Sequence, residues 1–166
     1  MKQRSAFTIV EIMIIVSVIT ILASIATVSY AGLQRDARNK ERESDVAILQ
    51  SSLEEFYEKN GYYPPMDKMS GDSDTTITFL TRDLNIPRTA LVSPDAPKGT
   101  KNSISTNISD PSYRKNYTYI AGLGGTTDGN ITEPCTAADA QCLVYGIAYY
   151  KEGTEEANTL KSKYGW

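Results

Sequence analysis

The chain has 166 residues, 20 acidic and 17 basic side chains, and no histidine. A slightly acidic balance gives no basic face for nucleic acid, and the lack of histidine removes the commonest general base and the commonest metal ligand. Cys135 and Cys142, with six residues between them, are too widely spaced and too few for a zinc knuckle.

Met1-Lys2-Gln3-Arg4-Ser5-Ala6 is a short basic opening. Phe7 to Tyr30 follows, with one charge, Glu11, and no Gly or Pro. As a helix this run spans roughly 36 Å, against a hydrocarbon core of about 30 Å. Lys2 and Arg4 place the N-terminus on the cytoplasmic side. A secretory signal peptide cleaved after Ala31, behind Ser29-Tyr30-Ala31, is one reading, but such peptides carry an apolar core of about 7–15 residues. A plain signal anchor explains the length and leaves Glu11 unexplained. A carboxylate at the centre of a membrane helix costs about 2.5–3.5 kcal/mol and less near the edge, where a partner is still expected. A cut between Ala6 and Phe7 creates one: an α-amino group on Phe7, one helical turn from Glu11.

Ala6 followed by Phe7-Thr8-Ile9-Val10-Glu11 and a long apolar run resembles the type IV pilins and pilin-like proteins, the major pseudopilins of type II secretion among them. Ala6 stands where Gly is usual, and the helix lacks the Pro that kinks many of its relatives; Ser24, Thr27 and Ser29 occupy that zone. The resemblance implies cleavage by a prepilin peptidase between Ala6 and Phe7, N-methylation of Phe7, and pairing of Glu11 with the Phe7 amine of a neighbouring subunit in a helical filament. It implies three parts: a leader at 1–6, a transmembrane and filament-core helix half at 7–30, and an extracytoplasmic head at 31–166 whose spine helix runs to about 59. The expected fold is α+β, a long N-terminal helix packed against a small antiparallel sheet. The implied partners are copies of the same chain, the prepilin peptidase, the inner-membrane pilus assembly machinery and, before assembly, the membrane itself. No cofactor and no nucleic acid are expected. The implied destination is an extracellular pilus serving adhesion, motility or DNA uptake. A pseudopilin of a type II secretion-like system, or a monomeric membrane-anchored binding module outside the cytoplasm, are the other readings.

Helical pattern continues past Ala31. Residues 35–45 carry eight charges of mixed sign, and Arg38–Glu41 and Arg42–Asp45 are opposite at i,i+3. This is expected to be a solvated face, with salt bridges to neighbouring subunits if the chain assembles. Val46, Leu49, Leu53 and Phe56, with Ala47 and Tyr57 beside them, form an apolar stripe that a domain should cover. Asn60-Gly61 stops the helix and Pro64-Pro65 forbids its return, giving one helix from about Thr8 to Lys59, roughly 78 Å long. The turn Phe56 to Pro64 is similar to the Tyr-x-x-x-x-Gly-x-Tyr-Pro turn after the spine helix of many pilins and major pseudopilins; Gly61 is expected at positive φ.

Ile77 to Leu84 reads as a short helix capped by Asp74 or Thr75, with a strand over 75–80 as the alternative. Residues 98–112 read as exposed loop. Tyr117 to Ile120 and Cys142 to Tyr150 read as strands. Residues 158–166 are a weak helix or an extended end, with Trp166 able to dock on the sheet.

A disulfide between Cys135 and Cys142 is the expected state outside the cytoplasm, and it agrees with the C-terminal disulfide loop of several pilins. Two free buried thiols are the alternative. Asp67, Asp72 and Asp74 form one acidic set and Asp128, Glu133 and Asp139 another. Neither has the regular spacing of a calcium loop. Asn107, Asn116 and Asn130 each open an Asn-x-Ser/Thr triplet. No nucleophile has a base beside it, so no catalytic residues are assigned and a structural protein is expected.

Overall fold

The long apolar run becomes a long helix. α1 spans Ile9–Asn60, within a residue of its expected ends. A computed structural model describes residues 8–107, 113–125, 130–137 and 139–164, with 26–29 and 113 described by backbone alone. α1 stops where its carbonyls find other donors. Gly61 takes φ 79°, its N–H donates to the Tyr57 carbonyl at 2.7 Å, and Asn60 Nδ2 donates to the Phe56 carbonyl at 2.8 Å. A side chain at position 61 would be strained there.

Two compact units divide the chain, Met1–Ala37 and Arg38–Trp166. In the first, every side chain from Ile9 to Ile25 is exposed. Its hydroxyls turn back onto the helix: Ser17 Oγ donates to the Ile14 carbonyl at 2.7 Å, Thr20 Oγ1 to Val16 at 2.8 Å and Ser24 Oγ to Thr20 at 2.8 Å. These polar side chains therefore need no donor or acceptor from outside the helix. Among the described residues, this is the one helix long and apolar enough to cross a membrane.

In the second unit, α1 is covered along one stripe. Arg42, Asp45, Val46, Leu49, Ser52, Leu53 and Phe56 are buried. The stripe thus begins four residues earlier than its apolar members predict. Ala47, expected beside it, faces solvent. The cover is a four-stranded sheet in the order β1-β2-β3-β4, so the architecture is α+β. β2 (Tyr117–Gly122) and β3 (Val144–Tyr150) pair antiparallel, as do β3 and β4 (Ala157–Lys161). Tyr117, Tyr119 and Ala121 alternate inward from β2, and Tyr145, Ile147 and Tyr149 from β3. Of residues 158–166, open between helix and extended in the sequence, 158–161 belong to β4, and the Ser162 N–H prolongs its ladder by donating to the Tyr145 carbonyl at 3.0 Å. Trp166 lies outside the described residues.

Residues 66–92 close the remaining side of the core. α2 (Met66–Met69) and α3 (Asp74–Thr78) are short. The cap of α3 is Ser73, one residue before Asp74 and two before Thr75, the expected caps, and its hydroxyl accepts from the Thr76 N–H at 3.1 Å. Phe79–Asp83 then widens into a π turn, in which the Leu84 N–H reaches the Phe79 carbonyl at 3.1 Å. The widened turn keeps Ile77, Leu80 and Leu84 all buried.

Residues 98–112 are not simply an exposed loop. Asn102, Ser103 and Ile104 are buried, and β1 (Ile104–Ser105) pairs parallel with β2. The cause is Asn102. Its Nδ2 donates to the Met69 and Gly71 carbonyls at 3.0 and 3.2 Å, its Oδ1 accepts from the Ile104 N–H at 2.9 Å, and its own N–H donates to Asp72 Oδ1 at 2.9 Å. A polar residue satisfied on every side can be buried.

Cys135 and Cys142 are bridged. Tyr63 and Cys142 exchange backbone hydrogen bonds at 2.7 and 3.3 Å, the Met66 N–H donates to the Cys135 carbonyl at 3.0 Å, and the Cys135 N–H donates to Ala121 at 2.8 Å. The bridge therefore stands between the exit of α1 and the sheet.

Replacing Asn102 by Ala strands buried backbone partners and is expected to cost about 1–3 kcal/mol in urea unfolding of the detergent-solubilised protein. The Cys135→Ser, Cys142→Ser double variant is expected to lose roughly 2.5 kcal/mol in the same assay. A stability change within about 0.5 kcal/mol for Asn102→Ala, the range of ordinary surface changes, would remove its anchoring role.

Candidate functional site

Glu11 is the first candidate residue the structure places. It sits in the first turn of α1. Its Oε2 accepts from the Thr8 N–H at 2.7 Å and from Thr8 Oγ1 at 2.8 Å, while the Glu11 N–H donates to Thr8 Oγ1 at 3.3 Å. Thr8 and Glu11 thus form a capping box, each satisfying the other's otherwise orphaned N–H. The sequence signal was Thr-x-x-Glu ahead of an apolar run. A lone charge in an apolar run is the more conspicuous feature of the same four residues and masks this capping signal. Ala6 and Phe7, the expected cleavage and methylation residues, lie outside the described residues.

The charges of 35–45 do something different from what their spacing predicts. Arg38 does not pair with Glu41; it grips both oxygens of Glu152, with Nη2 to Oε2 at 2.7 Å. Asn39 brackets the backbone of Glu152, accepting its N–H at 2.8 Å and donating to its carbonyl at 3.3 Å. Arg42 pairs with Asp95 and donates to the Tyr150 carbonyl. Asp45 accepts from the Tyr117 hydroxyl at 2.6 Å. Glu43 lies between Lys40 at 2.7 Å, an i,i+3 contact, and Lys151. Much of the expected solvated face is therefore a collar folded into its own unit. The reason is register: Arg42 and Asp45 continue the buried stripe of Val46 and Leu49, and a buried guanidinium must be paired. Arg42 is 2% exposed, and its Nε has no hydrogen-bond partner among the described residues.

Several of these contacts move a carboxyl titration. Hydrogen bonds from Lys151 and then Lys40 bring the Glu43 carboxyl down to about 2, and the Arg38 hydrogen bond lowers that of Glu152. Burial raises the Asp45 carboxyl against the lowering effect of the Tyr117 hydrogen bond.

The remaining candidates are scattered. Asp72 accepts the Asn102 N–H and Asp74 meets Lys101 at 3.3 Å. The described residues bring no three carboxylate or cysteine side chains together in a metal-holding group, and Asp128 lies outside them.

An exposed apolar helix with one acidic residue in its first turn, leading into the spine of an α+β head, is the arrangement of pilin-like proteins. Over 68 residues the chain is 28% identical to the type II secretion system core protein G of Vibrio cholerae serotype O1, covering 41% of this chain and 47% of that protein. Over 67 residues it is 27% identical to the protein of the same name from Aeromonas hydrophila, covering 40% and 47%. The chain thus spans about half the length of the curated relatives it matches. These weak similarities support the pilin-like class, pseudopilins included. No family model matches the chain, and no solved structure matches it.

Arg42→Ala leaves Asp95 without its cation in a half-closed site and is expected to cost about 3 kcal/mol. Arg38→Ala, which breaks a more exposed pair, should cost clearly less than Arg42→Ala. Equal losses in urea unfolding would show that burial does not separate the two pairs. The folded-state pKa of Glu43 is depressed, so its stabilising contribution is present above the ordinary carboxylate range and is lost as pH falls from about 4.5 toward 2. Lys151→Met is expected to raise the Glu43 midpoint in a carboxyl NMR titration; an unmoved midpoint would refute the pairing.

Proposed function

We propose that the chain is a pilin-like subunit: cut between Ala6 and Phe7, held in the membrane by residues 7–30, and assembled into a helical filament with the head, residues 31–166, outside the cytoplasm. The observation that carries this reading is an apolar helix, exposed from Ile9 to Ile25, with Glu11 in its first turn. Transfer of that helix from lipid to the apolar helices of neighbours exchanges one dry environment for another. The hydroxyls of Ser17, Thr20 and Ser24 already have acceptors, so they oppose neither state. Glu11 breaks the balance. Thr8 supplies it with neutral donors alone, and a carboxylate in a low dielectric gains more from a cation. The Phe7 amine of an adjacent subunit supplies one only in the filament.

Within this class, a pseudopilin of a type II secretion-like system is supported by the names of the relatives. A type IV pilin is supported by the Cys135–Cys142 bridge, since several pilins carry a C-terminal disulfide loop. The prepilin peptidase and an inner-membrane assembly machine are the partners either version needs.

The mature protein is expected to begin at an N-methylated Phe7 in N-terminal sequencing; a start at Met1 or Gly32 refutes the processing. Glu11→Ala is expected to insert into the membrane normally and to lower filament yield at least tenfold, a coupling of about 1.4 kcal/mol or more. Normal filament yield would refute the role given to Glu11. Deletion of the gene separates the two versions: lost secretion of folded proteins marks a pseudopilin, and lost surface filaments in electron micrographs mark a pilin.

A further inference from the structure

After β2 two short described stretches, residues 122–125 and 130–134, pair with each other as an arm. Gly122 bridges Pro134 and Gly125 bridges Ile131. The Leu123 N–H donates to the Glu133 carbonyl at 3.0 Å and the Thr132 N–H to Gly124 at 3.2 Å. Asn130 is exposed on this arm.

Beside Asn130 the outer face of the sheet holds a recess of about 340 Å³, lined by Ile131, Gly146, Ala148, Thr159 and Lys161 among others. It exists because two successive outward positions of β3 are Gly146 and Ala148, while Tyr145, Ile147 and Tyr149 fill the inner face. A Cβ added at Gly146 would meet nothing nearer than the Leu160 carbonyl at 3.8 Å. The volume is at the small end of small-ligand sites. An apolar floor rimmed by a hydroxyl, an ammonium and an amide suits a carbohydrate ring, whose C–H face and hydroxyl edge have the same division.

Asn130-Ile131-Thr132 is also an Asn-x-Thr acceptor triplet. The chain has three such triplets, and the structure separates them. Asn116 is half-buried and its Thr118 is 3% exposed within β2, so a transferase cannot take up that segment without pulling the strand out. Asn107 is exposed, but its triplet runs into residues outside those described. The Asn130 triplet is described throughout, lies on an arm off the sheet, and has a recess of suitable size beside it.

We propose that Asn130 is an N-glycosylation site, with the first sugar of the glycan seated over the recess at Gly146 and Ala148. The donor is a lipid-pyrophosphate-linked oligosaccharide, and the catalyst is a membrane oligosaccharyl transferase acting outside the cytoplasm. Asn130 Nδ2 attacks the anomeric carbon; the bond from that carbon to the pyrophosphate oxygen breaks, the amide gives up one proton, and the lipid pyrophosphate leaves with the bonding electrons. The proposal rests on the extracytoplasmic placement of the head.

The test is peptide mass mapping of the protein purified from its own cells, with the state of Cys135 and Cys142 read from the same material. The peptide holding Asn130 is expected to carry a carbohydrate mass. That mass should vanish in Asn130→Gln and Thr132→Ala and persist in Thr132→Ser and Asn116→Gln. A bare Asn130 in molecules whose disulfide has formed overturns the proposal, as does a glycan confined to Asn107. A bare Asn130 together with reduced cysteines overturns the placement of the head, and the proposal with it.

Discussion

From Arg42 onward one stripe of α1 has to be covered, and its polar members set the terms. Leu49, Leu53 and Phe56 ask only for apolar area. Arg42 and Asp45 ask for partners, and each partner fixes a different piece of the chain. Arg42 holds the loop at Asp95 and the end of β3 at Tyr150, and Asp45 holds the first residue of β2 through Tyr117. Apolar packing alone would allow the sheet to slide along the helix. Charged anchors at one end of the stripe tie the sheet to a single register, a use of buried polar groups for specificity more than for net stability.

Glu54 repeats the device at the other end. It accepts from Tyr63 at 2.7 Å, from Tyr145 at 2.8 Å and from the Lys163 N–H at 3.0 Å. Around it the rings are in contact: Tyr57 stacks on Tyr63 at 4.5 Å and on Tyr164 at 5.0 Å, and Tyr63 meets Tyr145 edge to face at 4.7 Å. Eleven Tyr against three Phe follows from this plan. A core joined to its spine by hydrogen bonds needs rings that carry a donor. Burial and Glu54 both push the Tyr145 hydroxyl far above its ordinary range, so it stays protonated and keeps donating.

The frame was legible because it rests on strong local signals. A long apolar run without Gly or Pro, a Gly at the helix exit and alternating strands at Tyr117 and Val144 each act over a few residues. What escaped acts over long separations. Nothing near Asn102 announces that Met69 and Gly71 await it some thirty residues upstream. Arg38 and Arg42 had opposite charges three residues away, and the pairing rule for an isolated helix chose those; tertiary partners at Glu152 and Asp95 won because the stripe is buried. The candidate site divided in the same way. Glu11 stood out as a charge among apolar residues, whereas its bond to Thr8 was hidden by being ordinary capping chemistry. The end of the chain could not be assigned as strand from Asn158-Thr159-Leu160-Lys161, whose place depends on the edge offered by β3.

The disulfide has a mechanical meaning. α1 leaves its last turn at Gly61, and the next residues, Tyr63 to Met66, run beside Cys142 and Cys135 with backbone hydrogen bonds to both. A pull along the helix axis that passes this turn meets two bonds of an antiparallel bridge and, behind them, a covalent link only seven residues long in sequence. Load entering at Tyr63 is shared at once with Ala121 on β2 through Cys135. The head is therefore fastened to its spine by a rivet at the point where a helix under tension would otherwise begin to peel.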